Sequence, residues 1–224
     1  MTEQLPAAVL WDMDGTLVDT EPYWLEAEEE LVGSFGGTWT HEDGLTLVGS
    51  GLTDSAAILQ GRGVAMPVDE IVNWLTDRVM ERIAERVSWR PGALELLAEV
   101  RDAGIPTALV TMSLTRMAEV VVALIPFPAF DFIVGGDQVE HNKPHPDPYL
   151  RAANLLGVDV TCAIAIEDSA TGLASAVASG AASVGVPLHV PLGPGRGYEI
   201  WPSLAGKTLA DLSGLLGAAR SSAA

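Results

Sequence analysis

Hydrophobic positions follow two rhythms along this chain, and the change between them divides it. Ala7-Ala8-Val9-Leu10-Trp11 is apolar on both parities, as a strand buried on both faces requires. Asp12 ends that run, and Asp14-Gly15-Thr16 begins a turn. From Glu21 to Phe35 the spacing is helical, with Trp24, Leu25, Leu31, Val32 and Phe35 as the apolar set and Gly36-Gly37 as the stop. A weaker helix is predicted over 41–48 and another over 53–60. After Pro67, apolar residues recur every fourth position at Ile71, Leu75, Val79, Ile83 and Val87. Charged residues such as Asp77, Arg78, Glu81 and Arg82 occupy the other faces, so this helix packs on one side. Nothing between residues 20 and 88 has the period of a strand. That stretch reads as a self-contained helical insert.

Beyond Arg90-Pro91-Gly92, helices and strands alternate. Helices are predicted over 93–102, 115–124, 146–156 and 169–179, and strands over 106–111, 130–134, 162–166 and 182–186. Helices between successive buried strands predict an α/β protein with a parallel sheet covered by helices on both faces. The Gly- and Pro-rich last thirty residues are expected to hold one short strand and a helix at Leu209–Leu216, with a frayed tail from Arg220.

In open parallel sheets the binding crevice lies at the carboxyl ends of the strands. The predicted ends here are Asp12, Thr111, Gly135-Gly136-Asp137 and Glu167-Asp168. Asp12 and Asp14 are two apart, so a continuing strand would point both to one side. Such acids either bridge a cation or serve as turn and cap residues. Oxygen ligands without histidine or thiolate favour Mg²⁺ over zinc. Lys143, one of two lysines, sits in a loop between His141 and Asp147; it is either an ordinary loop residue or a fixed ammonium for a phosphoryl group. Thr111, with the amides at the start of the next helix, could cradle an anion, while Ser113 could equally cap that helix.

Composition narrows the partners. The 224 residues carry 30 Asp plus Glu against 12 Lys plus Arg, a formal charge of -18. Such a field repels nucleic acid and anionic membrane surfaces, yet a small phosphate ester can bind where a metal and a few cations are concentrated. No eighteen-residue apolar run and no secretory signal are present, so a cytoplasmic location is expected. Cys162, the only cysteine, is expected as a buried strand residue in a reducing compartment.

The motif Asp12-Met13-Asp14-Gly15-Thr16-Leu17-Val18-Asp19-Thr20 resembles the first motif of the haloacid dehalogenase-like phosphohydrolases. Thr111, Lys143-Pro144-His145-Pro146-Asp147 and Ile166-Glu167-Asp168-Ser169 match the second, third and fourth motifs in order. The resemblance covers about residues 7–190. It implies a Rossmann-like core domain of residues 1–17 and 90–224 with an inserted all-helical cap domain of residues 18–89. The insert looks like the small cap of the subgroup that includes phosphoglycolate phosphatase and β-phosphoglucomutase.

Carried over, the resemblance makes Asp12 the nucleophile and Asp14 the general acid, then the base for water. Asp12, the Asp14 carbonyl and Asp168 would hold Mg²⁺, with Glu167 helping directly or through water. Lys143 and Thr111 would bind the phosphoryl group with the amides of Gly15 and Met112. Ser113, Glu21 and Trp24 are further candidates for substrate contact, though Trp24 also suits packing and Glu21 a first-turn acid. The second aspartate argues against a dehalogenase, and the lack of any lysine before Lys143 argues against a phosphonatase. β-Phosphoglucomutases carry a histidine where this chain has Trp24, and an arginine in the loop where it has Gly49-Ser50-Gly51-Leu52. The expectation is therefore a monomeric phosphatase for a small phosphorylated metabolite, with a phosphosugar mutase as the alternative. The usual Asn after the second-motif hydroxyl is replaced by Met112, which points to altered specificity.

Overall fold

The computed structural model describes residues 5–223, with side chains through Leu216. Six strands, β1 (Ala8–Trp11), β2 (Thr107–Val110), β3 (Phe132–Val134), β4 (Ala163–Glu167), β5 (Ala182–Gly185) and β6 (Tyr198–Ile200), form one sheet. Its order is β3-β2-β1-β4-β5-β6, with every pairing parallel. β1 pairs with both β2 and β4, so the strand order reverses direction at β1 and opens a crevice beyond its carboxyl end.

The alternation inside the strands decides what covers each face. Val9, Trp11, Leu109, Ile164 and Ile166 share one buried cluster. Helices α5 (Ala93–Asp102), α6 (Thr115–Ala123) and α9 (Leu209–Ala223) pack there through Leu96, Leu97, Met117, Val121 and Leu212. Ala8, Ala108, Ala163 and Ala165 line the opposite face under α7 (Asp147–Leu156) and α8 (Ala170–Ser179). Small strand residues leave room on that side for one large buried ring, Tyr149 of α7.

Between β1 and α5 the chain is helical, as its period predicts: α1 (Glu21–Ser34), α2 (His41–Leu45), α3 (Leu52–Gly61) and α4 (Val68–Glu85) form the inserted cap. The α4 stripe Ile71, Leu75, Val79 and Ile83 is buried, and α4 packs on α1 and α3. The two crossings run side by side through an antiparallel bridge from Val18 to Trp89, and the Arg90 amide donates to the Leu17 carbonyl at 3.0 Å.

Three local expectations are corrected. Helix α2 stops at Leu45, because the reciprocal Thr40–Asp43 cap starts it but Gly44 sits in its only turn. Cys162 ends a 3₁₀ turn before β4 and is half-buried rather than in the strand. Helix α9 continues to Ala223, past Leu216 and through the segment expected to fray.

Candidate active site

The strand ladder delivers the first acid. The Asp12 amide donates to the Ile166 carbonyl at 3.0 Å, one residue past the end of β1, which fixes where the Asp12 side chain emerges. The chain then turns back, with the amides of Leu17 and Val18 donating to the Met13 carbonyl at 2.9 and 3.1 Å. Gly15 serves this turn with φ +84°, and a Cβ there would stand 2.0 Å from Asp168 Oδ2. Any side chain at position 15 would be strained and would displace Asp168.

Lys143 reaches across the same edge. Its ammonium donates to Asp12 Oδ1 at 2.7 Å, Glu167 Oε1 at 2.6 Å and the Val110 carbonyl at 2.9 Å, which uses all three hydrogens. Burial works against this charge, but Asp12 and Glu167 outweigh it and hold the pKa above the ordinary lysine value. Glu167 is itself pinned. Its Oε1 also accepts from the Tyr149 hydroxyl at 2.6 Å, and Oε2 accepts from Ser169 Oγ at 3.3 Å. The backbone of α8 lies so close that a Cβ at Gly172 would fall 2.0 Å from the Glu167 carboxyl.

Burial, reinforced by the Glu167 charge, pushes Asp12 up to about 7 even against the pull of Lys143. Asp168 is held well above the usual carboxylate range, first by burial and then by Asp12. Asp12 Oδ2 is buried and has no hydrogen-bond partner among the described residues. Oxygens of Asp12, Glu167 and Asp168 lie within 4.8 Å of one another. Crowded anions, an orphaned carboxylate oxygen and an all-oxygen donor set together fit a hard divalent cation.

Asp14 faces the other way, toward the cap. Thr20 Oγ1 donates to its Oδ1 at 2.5 Å and Trp24 Nε1 lies 3.4 Å from the same oxygen. Ser113 Oγ and Thr111 Oγ1 donate to Oδ2 at 2.7 and 3.1 Å. Thr111, expected on the phosphoryl group, thus holds Asp14 and also accepts the Ser113 amide at 3.0 Å. Trp24, read as a packing residue or pocket wall, does pack on the core cluster and lines the cavity.

One cavity joins these groups to the cap. From the core, Asp12, Asp14, Gly15, Met112, Lys143 and Asp168 line it; from the cap, Glu21, Trp24, Glu28, Ser50, Leu52 and Ser55 do. Every singled-out site residue except Glu167 is on this wall, and Glu167 lies beneath it. Tyr149, Glu28 and His189 were not singled out from the sequence. Tyr149 and Glu28 read as ordinary helix positions, and His189 lies in a Gly- and Pro-rich segment without periodicity. His189 lines the cavity, with Nε2 2.8 Å from Asp19 Oδ1. His141 and His145 brace the Lys143 loop, each placing Nδ1 3.0 Å from an Asp147 carboxylate oxygen.

A carboxylate at the first strand end, braced by a buried lysine, faces a second carboxylate across an acidic cluster and under a helical lid. That combination defines a capped α/β hydrolase of the phosphoryl-transfer type. The chain belongs to the haloacid dehalogenase-like hydrolases, whose family model matches residues 9–186. It is 35% identical over 186 residues to Protein CbbY of Cereibacter sphaeroides, covering 77% of this chain and 80% of that one. Hexitol phosphatase B of Escherichia coli K12 is 29% identical over 195 residues, covering 80% and 83%. The crystal structure of CbbY from Rhodobacter sphaeroides in complex with phosphate superposes with a TM-score of 0.82 at 29% identity, covering 90% of this chain and 96% of that one. A mutant of the same protein in complex with xylulose-(1,5)bisphosphate gives TM-score 0.82 at 28% identity, with the same coverage. No helix among the described residues is long and apolar enough to cross a membrane.

Proposed function

We infer that the protein is a Mg²⁺-dependent phosphatase that hydrolyses a small phosphate monoester through an aspartyl-phosphate, with residues 18–89 as its cap and residues 1–17 and 90–224 as its core. The observation that carries this reading is the asymmetry of Asp12. One oxygen is fixed by Lys143, the other is buried and without a hydrogen-bond partner among the described residues, and Asp12 lines the cavity. A carboxylate held this way is oriented for in-line attack.

Asp12 attacks phosphorus as the ester P–O bond breaks, and the departing alkoxide takes a proton from Asp14. Water then attacks phosphorus of the aspartyl-phosphate and gives its proton to Asp14, which releases phosphate and restores Asp12. Thr20, Thr111 and Ser113 orient Asp14 for both transfers. Lys143 pulls Asp12 toward its anionic form and directs it, and Glu167 with Tyr149 keeps Lys143 in place. Asp12, Asp168 and the Asp14 carbonyl would hold the cation, with Glu167 behind them. When bound, Mg²⁺ supplies charge neutralisation among the acids and on the transferring phosphoryl group. The cap excludes bulk water while the ester is positioned.

The cap loop at Gly49–Leu52 puts no cation on the cavity wall, which favours hydrolysis over mutase chemistry. The test is phosphate release from a panel of small monoesters with Mg²⁺ or with EDTA. Release is expected with Mg²⁺ alone, and Asp12→Asn should lower it by at least about a thousandfold while leaving the circular dichroism spectrum unchanged. Chelator-resistant turnover, or an active Asp12→Asn protein, would overturn the reading. Glucose 6-phosphate formed from β-glucose 1-phosphate without net phosphate would replace it with the mutase.

A further inference from the structure

The loop that delivers Lys143 to the cavity also carries three side chains that the chemistry does not use. In His141-Asn142-Lys143-Pro144-His145-Pro146-Asp147, Lys143 is buried, whereas His141 and His145 are exposed and Asp147 is half-buried. None of these three lines the cavity. One ligand atom from each falls within 4.8 Å of the other two. Among the described residues this is the one such cluster that includes nitrogen; the other is the all-oxygen set of Asp12, Glu167 and Asp168.

The spacing suits coordination. His141 Nδ1 lies 3.0 Å from Asp147 Oδ2, and His145 Nδ1 lies 3.0 Å from Asp147 Oδ1. A tetrahedral zinc ion with bonds of about 2.0–2.1 Å separates its ligand atoms by about 3.3 Å, so the side chains need only small adjustments. Hydrogen accounting gives a separate reason. The Asp147 amide donates to His145 Nδ1 at 3.3 Å, so that nitrogen presents a lone pair. The same nitrogen faces Asp147 Oδ1, and two acceptors at that distance repel unless a cation lies between them. A proton on Nδ1 would instead point against the amide hydrogen. Protonating both rings would set two positive charges on imidazoles whose centroids are 4.7 Å apart. Neutral His141 can hold its hydrogen on Nε2 and offer Nδ1 as well.

The loop is also held in place before any ion arrives. The His145 carbonyl accepts from Ser175 Oγ at 2.5 Å, its amide donates to the Asn142 carbonyl at 3.0 Å, and Asn142 Nδ2 donates to the Gly136 carbonyl at 3.0 Å. Little ordering is then left for binding to offset. Two imidazoles and one carboxylate favour a transition ion, whereas the all-oxygen cluster in the cavity suits Mg²⁺.

We propose that His141, His145 and Asp147 form a second metal site, outside the cavity, that takes a divalent transition ion of the Zn²⁺ type and clasps the Lys143 loop to the first turn of α7. That turn also carries Tyr149, so the ion braces from outside the two residues that hold Glu167 and Asp12 in register. The site goes beyond the phosphatase reading and does not depend on it.

The experiment titrates Zn²⁺ into the EDTA-stripped and dialysed full chain in excess Mg²⁺, by calorimetry and by thermal melting. It uses the parent, His141→Asn with His145→Asn, and Asp12→Asn. The parent should bind one equivalent with a Kd of about 10 µM or tighter. Zn²⁺ at about a hundred times Kd should raise the melting temperature by about 5–10 °C. The double histidine variant should bind about a hundredfold more weakly and lose the thermal shift, whereas Asp12→Asn should keep both. The two imidazoles are exposed, so their replacement leaves the core packing in place. His145→Asn alone carries the comparison if the double variant does not fold. Binding that survives loss of the histidines, or that disappears with Asp12→Asn, would assign the ion to the cavity and overturn the second site. Binding in the parent only at millimolar Zn²⁺ would overturn it as well. Phosphate release, measured separately, decides the hydrolase reading.

Discussion

With all three ammonium hydrogens engaged, Lys143 acts first on Asp12 and Glu167 and only through them on a substrate. Its position depends on Tyr149, whose hydroxyl donates to the same Glu167 Oε1. Tyr149→Phe keeps the ring and removes that donor. The expected result is about 1–2 kcal/mol of lost stability, together with a kcat lowered about tenfold at nearly constant KM, because Tyr149 lies beneath the cavity and not on its wall. Urea unfolding and steady-state kinetics on the same preparation check both, and an unchanged kcat would remove Tyr149 from the positioning chain. The acids of this site were legible in the sequence because Asp12, Glu167 and Asp168 close strands that are greasy on both faces, where a carboxylate gains nothing from packing. Tyr149 was not, since a tyrosine at an apolar helix position looks the same whether its hydroxyl holds a catalytic group or nothing.

At the scale of elements, the cap meets the core at a second place besides its two crossings. Arg116 of α6 forms an ion pair with Asp77 of α4, and its other nitrogen donates to the Asn73 carbonyl and Oδ1, each at 3.2 Å. The guanidinium also lies 3.2 Å from Met80 Sδ. Exposed pairs contribute only about 0–1 kcal/mol, so Arg116→Ala should leave the melting temperature nearly unchanged. It should loosen the closed cap and raise KM by about three- to tenfold, since a clamp of this strength biases closure by only a small factor. Small-angle scattering and steady-state kinetics would show the change; a fall in melting temperature without a KM effect would mean the contact is structural only. The charges on α4 were legible as an exposed face. Which of them meets α6 was not, because that depends on how the insert docks, and no periodicity along one helix encodes it. The strand period likewise found β1, β2, β4 and β5 closely, but it placed Cys162 in β4, because an apolar run does not mark where a 3₁₀ turn ends.

Over the whole molecule, the formal charge of -18 surrounds a site built for an anion. The local cation has to overcome that field for each encounter. Raising ionic strength from about 0.02 to 0.2 M shortens the screening length from roughly 20 to 7 Å. At fixed free Mg²⁺, kcat/KM for a neutral-sugar phosphate should then rise about twofold or more. A steady fall with salt in stopped-flow or initial-rate measurements would instead mean that the substrate is drawn in by local positive potential. The order β3-β2-β1-β4-β5-β6 was not written in the linear pattern, although alternating helices and strands restricted it to a parallel sheet.

The chain has two lysines, and the structure treats them very differently. Lys143 is sealed between Asp12, Glu167 and a carbonyl, whereas Lys207 rests on the Trp201 ring with 27% of its side chain open to solvent. Amine-directed coupling through side chains therefore has a single practical address, on the stretch between β6 and α9 and outside the cavity lining. A surface or a fluorophore attached there would leave the cap free to move and the nucleophile untouched.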